Sequence, residues 1–219
     1  MSRTAFESYI TALRDAAVAG LPGIAAQSRM APRMRLDPPY DPYPKHAREA
    51  AVLILLFPCH GERLCFPLIT RPQDGGPHAG QVALPGGLRK DGEVFPEETA
   101  VREAMEEIGI SPHSVRPVLR LTPLYIPVSN VTVVPVVASS TEAPQFTPDP
   151  REVAGIHLLD LQELGGEVGE SDFVGSVETA PLRAPCYQPH GLKVWGATAM
   201  ILAEFEELHR LIMNSLQRE

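Results

Sequence analysis

Between Pro85 and Ile110 the chain reads PGGLRKDGEVFPEETAVREAMEEIGI. This stretch narrows the possible folds sharply, because a Gly pair and an acidic turn lead into a helix whose two faces need different surroundings. Pro96 suits the first helical position, where a missing N–H costs nothing. Glu97 and Glu98 suit the positive end of the helix dipole, and Gly109 is the expected stop. Val101, Ala104, Met105 and Ile108 recur at i, i+3, i+4 and i+7, one apolar stripe that must lie on a core. Beside it Glu103, Glu106 and Glu107 recur at i, i+3 and i+4, so their carboxylates can converge. Glu103 and Glu107 are like charges one turn apart, which costs about 0.2–0.5 kcal/mol. Acids near the carboxyl end of a helix are also opposed by its dipole. Only Arg102, one turn before Glu106, offsets this locally. A solvated acidic face is the plain reading of three such acids, but a hard divalent cation would relieve the repulsion. Magnesium takes carboxylate oxygens, keeps several waters and draws its remaining ligands from substrate phosphates. The segment therefore reads as the metal-binding face of an enzyme acting on a phosphoanhydride.

The same residues resemble the signature of the Nudix hydrolases, G-x5-E-x7-R-E-U-x-E-E-x-G-U, where U is bulky and apolar. Gly87 and Glu93 match its first part, and Arg102, Glu103, Glu106, Glu107, Gly109 and Ile110 its second. Eight residues separate Glu93 from Arg102 where the signature has seven, and an extra residue there is a feature of the coenzyme A branch. Ala104 replaces a larger apolar residue. Upstream, LITRPQDGGPHAGQVALPGG (68–87) is similar to that branch's second motif, with Thr70, Arg71, Gly80, Val82, Pro85, Gly86 and Gly87 corresponding in kind. Pro72 stands where Ser is usual, His78 where a basic residue is usual, and Leu84 where Phe is usual. Residues 121–137 and 194–202 are similar to stretches of the same branch.

What the resemblance implies is an α/β protein with a Nudix-type α/β/α sandwich and a mixed sheet. It implies metal-dependent hydrolysis of a diphosphate linkage, with coenzyme A or an acyl-coenzyme A as the small-molecule nucleotide substrate. ADP-ribose or another nucleoside-diphosphate derivative is the alternative within the same chemistry. A non-catalytic nucleotide-sensing module is the alternative outside it, although such modules usually lose box carboxylates and none is lost here. The implied cofactor is Mg²⁺ or Mn²⁺ on Glu103, Glu106, Glu107 and the Gly87 carbonyl. Arg102 and Glu93 would pair and brace the box, and Glu152, in the late loop PDPREVAG, would serve as ligand or base. Arg71 is the expected phosphate contact beside the Gly86–Gly87 backbone, with Arg89 a weaker candidate.

A chain of 219 residues can form one domain with a sizeable core. We expect residues 1–46 to be an N-terminal helix and wrapping segment that could help a homodimer form, and 47–219 to be the hydrolase domain. The net charge of −8 argues against nucleic-acid binding by bulk electrostatics. Three scattered cysteines, Cys59, Cys65 and Cys186, read as reduced thiols in a cytoplasmic protein rather than a disulfide framework or zinc site. The apolar run from Ala50 to Phe57 is too short to span a bilayer, and no signal peptide is apparent.

Residues 4–18 read as an amphipathic helix with Phe6, Ile10, Leu13 and Ala17 on one side. Ala50–Phe57 and Leu64–Thr70 read as strands around a turn at His60–Gly61. Further strands are expected at 81–84, 118–124, 131–138 and 156–159, the last followed by a helical turn over 161–164. Ile201, Phe205, Leu208, Ile212 and Leu216 mark a long helix from Gly196. Trp195 and Tyr125 read as core residues rather than base-stacking platforms, and the histidines show no ligand spacing.

Overall fold

The computed structural model describes residues 2–32, 41–59, 63–75, 78–164, 166, 168–173 and 182–216. The chain opens with helices α1 (Arg3–Ala19) and α2 (Gly23–Gln27), followed by strands β1 (Arg48–Pro58), β2 (Leu64–Thr70), β3 (Val82–Ala83) and β4 (Gly86–Leu88). Helix α3 (Glu97–Ile108) precedes β5 (Arg116–Arg120), β6 (Leu124–Ile126), β7 (Val131–Ser139) and β8 (Gly155–Asp160). Strands β9 (Val168–Phe173), β10 (Leu182–Tyr187) and β11 (Val194–Trp195) lead into α4 (Gly196–Leu216). The turn expected at His60–Gly61 lies outside the described residues.

The main sheet is mixed, in the order β3-β2-β1-β7-β5, with β4 on β1, β6 on β7 and β8 on β2. β1 and β7 run parallel at its centre, with Ala51 opposite Val134 and Leu53 opposite Val136. Both are near-continuous apolar runs, as strands covered on two faces must be. Side chains alternate along β1 and separate into two cores. Ala51, Leu53, Leu55 and Phe57 pack with Ala100, Ala104 and Ile108 of α3. Ala50, Ile54 and Leu56 pack with Phe6, Ile10 and Leu13 of α1 and with Ile201, Phe205 and Leu208 of α4. The expected α/β/α sandwich with a mixed sheet is thus the observed one.

Several expectations are corrected. The strand read over 118–124 is two, because the chain breaks at Leu121–Pro123. There the Thr122 amide and hydroxyl turn to the Glu204 carboxylate instead of a neighbouring strand, the hydroxyl at 2.6 Å. Met105 is 40% exposed, so the face of α3 that packs on the sheet is Ala100, Ala104 and Ile108. Pro96 is the residue before α3 rather than its first helical residue, which is Glu97. The cysteines are not three thiols. Cys59 and Cys65 form a disulfide, and Cys186 is free and buried. They look scattered along the chain, but the hairpin sets Phe57 opposite Cys65 and brings the two together. The cytoplasmic expectation loses the support it drew from reduced thiols. No helix among the described residues is long and apolar enough to cross a membrane.

Glu204 is fully buried on α4 and accepts hydrogen bonds from Gly23 N, Gln27 Nε2, Thr122 N and Thr122 Oγ1. Burial raises its proton affinity, while the donors from Thr122 and Gln27 pull the other way. One carboxylate thereby ties α2 and the β5–β6 connection to α4. Glu204→Leu strands those buried donors, and we expect it to cost about 2–4 kcal/mol. Thermal unfolding of the variant should shift down by roughly 10 °C, with faster amide exchange in α2. An unchanged melting temperature would show that the network contributes nothing net.

Candidate active site

β4 carries the Gly pair along the edge of β1, with Gly86 opposite Val52 and Gly87 opposite Ala51. Gly86 has φ of 156°, and a Cβ there would stand 2.3 Å from the Ala51 carbonyl oxygen. Only glycine fits. A Cβ on Gly87 would lie 2.6 Å from the Glu103 carboxyl carbon, so the missing side chain is what lets that carboxylate come against the strand. The loop after β4 folds back into α3, which ends at Gly109 in the left-handed conformation, φ 70°.

Arg102 organises the acids. It pairs through Nε with Glu93 and through Nη1 with Glu103 at 2.6 Å and Glu106 at 2.9 Å, while Nη2 donates to the Leu88 carbonyl at 2.9 Å. Glu93 also accepts from Thr99 Oγ1 at 2.6 Å and Lys90 N at 2.8 Å. The Arg102 guanidinium, with help from those two, holds the Glu93 carboxyl down at about 2. Glu106 is 39% exposed and takes a second cation, Lys90 Nζ at 3.1 Å. A single-helix reading missed Lys90 and Thr99, because Lys90 reaches the helix from the preceding loop and Thr99 reaches back toward it.

Glu107 differs from both neighbours. It is 2% exposed, and its carboxylate accepts from Gly86 N at 2.8 Å. Burial pushes its pKa up to about 7. The Gly86 amide and the charge of Arg71 oppose that rise, while Glu103 and Glu152 add to it. Arg71, Glu103 and Glu152 therefore all act on the Glu107 carboxyl. Glu152 lies on the loop after β7, which is stitched to the end of α3 by Thr147 N to Ile108 O and Asp149 N to Glu107 O. Arg71 stands at the end of β2, half-buried and fastened through its own amide to Gln81 O. Arg89 is directed elsewhere. It pairs with Glu49 at 2.6 Å, lies over the Phe95 ring and lines a separate cavity of about 430 Å³ with Arg48 and Asp91.

The three helical carboxylates share a region, but Glu103 and Glu106 are held by Arg102 while Glu107 turns to the Gly86 amide. Among the described residues no three acidic, histidine or cysteine side chains stand grouped as a metal-binding set. The donor chemistry nevertheless fits a hard divalent ion. A buried carboxylate among other acids, beside a backbone that Glu103 can touch for want of a Cβ, offers the oxygen ligands such a cation takes.

A family model described as the NUDIX domain matches residues 47–174. An uncharacterised Nudix hydrolase, NudL, of Pectobacterium atrosepticum is 39% identical over 132 residues, 60% of this chain and 67% of that one. A Caenorhabditis elegans protein named peroxisomal coenzyme A diphosphatase is 32% identical over 129 residues, 58% of this chain and 55% of its own. This chain thus spans two thirds of the bacterial relative and about half of the worm one. Among solved structures, a Nudix hydrolase of M. smegmatis superposes with a TM-score of 0.49 at 21% identity, covering 75% of this chain and 88% of that one.

Proposed function

The chain belongs to the Nudix hydrolase family, and on that premise we propose that it hydrolyses the diphosphate linkage of coenzyme A or an acyl-coenzyme A. The products would be 3′,5′-ADP and 4′-phosphopantetheine or its acyl derivative. The observation that carries the chemistry is the Glu107 carboxyl, buried on the Gly86 amide, with the Glu103 carboxylate brought against Gly87 on the same strand. Glu103, Glu106 and Glu107, with the Gly87 carbonyl, are the proposed holders of one or more Mg²⁺ or Mn²⁺ ions. A bound ion of that kind neutralises phosphate charge and acidifies a water.

The rest falls to the chain's own side chains. Arg71 offers a planar fork to phosphate oxygens from the end of β2. Glu152 is the proposed further ligand or base, since it is exposed on a loop held against the Glu107 end of α3. Arg102 and Glu93 position the others. Their pair, fixed by Thr99 and the Lys90 amide, keeps Glu103 and Glu106 on one side of the helix. The choice of coenzyme A is supported by the eight-residue gap between Glu93 and Arg102, by the Thr70–Gly87 approach and by the worm relative.

Two measurements test this reading. Incubation with coenzyme A followed by mass analysis should reveal 3′,5′-ADP and 4′-phosphopantetheine. Enzyme stripped with chelator should be inactive and recover with Mg²⁺ or Mn²⁺, whereas Zn²⁺ should not restore it fully, because the donors are carboxylates without cysteine or paired histidine. Full turnover in chelator would refute the metal assignment.

A further inference from the structure

Strands β9, β10 and β11 form a separate three-stranded sheet in the order β11-β10-β9. Gly169 and Trp195 both pair with Cys186, and Ser171 pairs with Ala184. By alternation Ser171, Phe173 and Trp195 share one face with Ala184 and Cys186. Ala184 and Cys186 are small and fully buried, so the large rings from the flanking strands can lean over them. Phe173 and Trp195 stack with centroids 4.1 Å apart and planes 9° from parallel. Both rings remain half-buried instead of closed. Beside them the exposed Lys193 donates through Nζ to Ser171 Oγ at 2.8 Å. Among the described residues that neutral hydroxyl is its partner, so the ammonium charge is held in place without being cancelled. The acids of β9, Glu170 and Asp172, alternate to the opposite face.

The position of this patch matters as much as its chemistry. β11 lies against β3, and β3 runs through Leu84 and Pro85 into the Gly pair. An open-edged aromatic stack and a fixed cation therefore stand beside the strand that leads into the Gly pair. Aromatic faces take up bases, and a lysine point charge suits phosphate.

We propose that the Phe173–Trp195 stack is the platform for the substrate's adenine, and that Lys193, steadied by Ser171, receives the phosphate on its ribose. The proposal rests on the reading of the chain as a coenzyme A hydrolase and adds how it holds the nucleoside end. It also distinguishes substrates, because ADP-ribose has an adenine for the stack but no ribose phosphate for Lys193.

Trp195 is the sole tryptophan of the chain, so its emission reports on the platform without any turnover. With chelator present, 3′,5′-ADP and 5′-ADP should both quench that emission, and 3′,5′-ADP should bind about tenfold tighter. 4′-Phosphopantetheine should leave the emission unchanged. Phe173→Leu should weaken both nucleotides about ten- to a hundredfold, and Phe173→Tyr should restore them. Lys193→Ala should leave 5′-ADP binding intact and erase the advantage of 3′,5′-ADP. Thermal melts confirm that each variant folds. Unchanged emission at ligand levels that calorimetry proves saturating overturns the proposal, as does quenching by phosphopantetheine or equal loss of both nucleotides in Lys193→Ala. Hydrolysis of coenzyme A with a silent Trp195 overturns the platform alone, whereas nucleotide quenching in a protein that cleaves no coenzyme A overturns the assigned reaction and leaves the platform standing.

Discussion

Glu106→Gln and Glu107→Gln should each cut kcat by about a thousandfold or more while the protein stays folded. The warrant is loss of cation charge at the developing transition state, typically worth several kcal/mol. Steady-state rates at saturating Mg²⁺ measure it, and near-wild-type turnover in either variant would remove that residue from the proposed ligand set. Stability separates the two positions. Glu106 is well exposed and shares Lys90 and Arg102, so its amide should barely move the melt. Glu107 is buried, and the fold raises its pKa from 4.5 to about 7. The folded state holds that proton more tightly than the unfolded chain does. Its contribution to stability is therefore complete below about pH 4.5 and is lost as pH rises through about 7. Glu107→Gln is neutral at every pH and still offers an oxygen to Gly86 N. In metal-free protein at pH 8 it should be more stable than wild type by about 1–3 kcal/mol, with the difference fading at pH 4. A dead enzyme that is more stable than its parent is the signature of a carboxylate kept for function. A variant less stable at both pH values would instead make Glu107 a structural residue.

Much of this organisation is legible in the residues, for identifiable reasons. The 3.6-residue period locates α3 and α4, and unbroken apolar runs locate β1 and β7 because those strands are covered on both faces. The pairing of Arg102 with Glu93, implied by the family resemblance and permitted by helix geometry, is present in the structure. What escapes has a physical cause in each case. The β9–β11 sheet hides because VGESDF is half-polar and Pro185 sits in the middle strand, where a missing N–H argues against pairing. The Glu204 network hides because its donors come from positions far apart in sequence. The disulfide becomes apparent only once the hairpin register is known. Met105 satisfies the helical period of α3 but is 40% exposed, because the sheet does not cover that side of the helix. Helical period likewise brings Glu103, Glu106 and Glu107 near one another without specifying the rotamers, which Arg102, Lys90 and the Gly86 amide decide.

Coenzyme A should be cleaved with a higher kcat/KM than ADP-ribose, and Arg71→Ala should lower the rate on coenzyme A by about tenfold or more without unfolding the protein. Specificity is a ratio of transition-state stabilisation, so kcat/KM on both substrates is the quantity to compare. The extra residue between Glu93 and Arg102 and the approach from Thr70 to Gly87 favour coenzyme A. Arg71 enters because it stands half-buried at the end of β2, at the start of the segment that leads into the Gly pair, and its guanidinium suits a phosphate. Losing one charged fork from a phosphate is worth about 1.5–3 kcal/mol, and the diphosphate is common to both substrates. Arg71→Ala should therefore depress both rates in similar proportion and leave their ratio nearly unchanged. A variant that loses only ADP-ribose turnover would place Arg71 away from the shared diphosphate. If ADP-ribose wins by tenfold or more in the wild-type protein, the coenzyme A assignment fails while the Nudix chemistry stands, because the carboxylates of α3 serve either substrate alike.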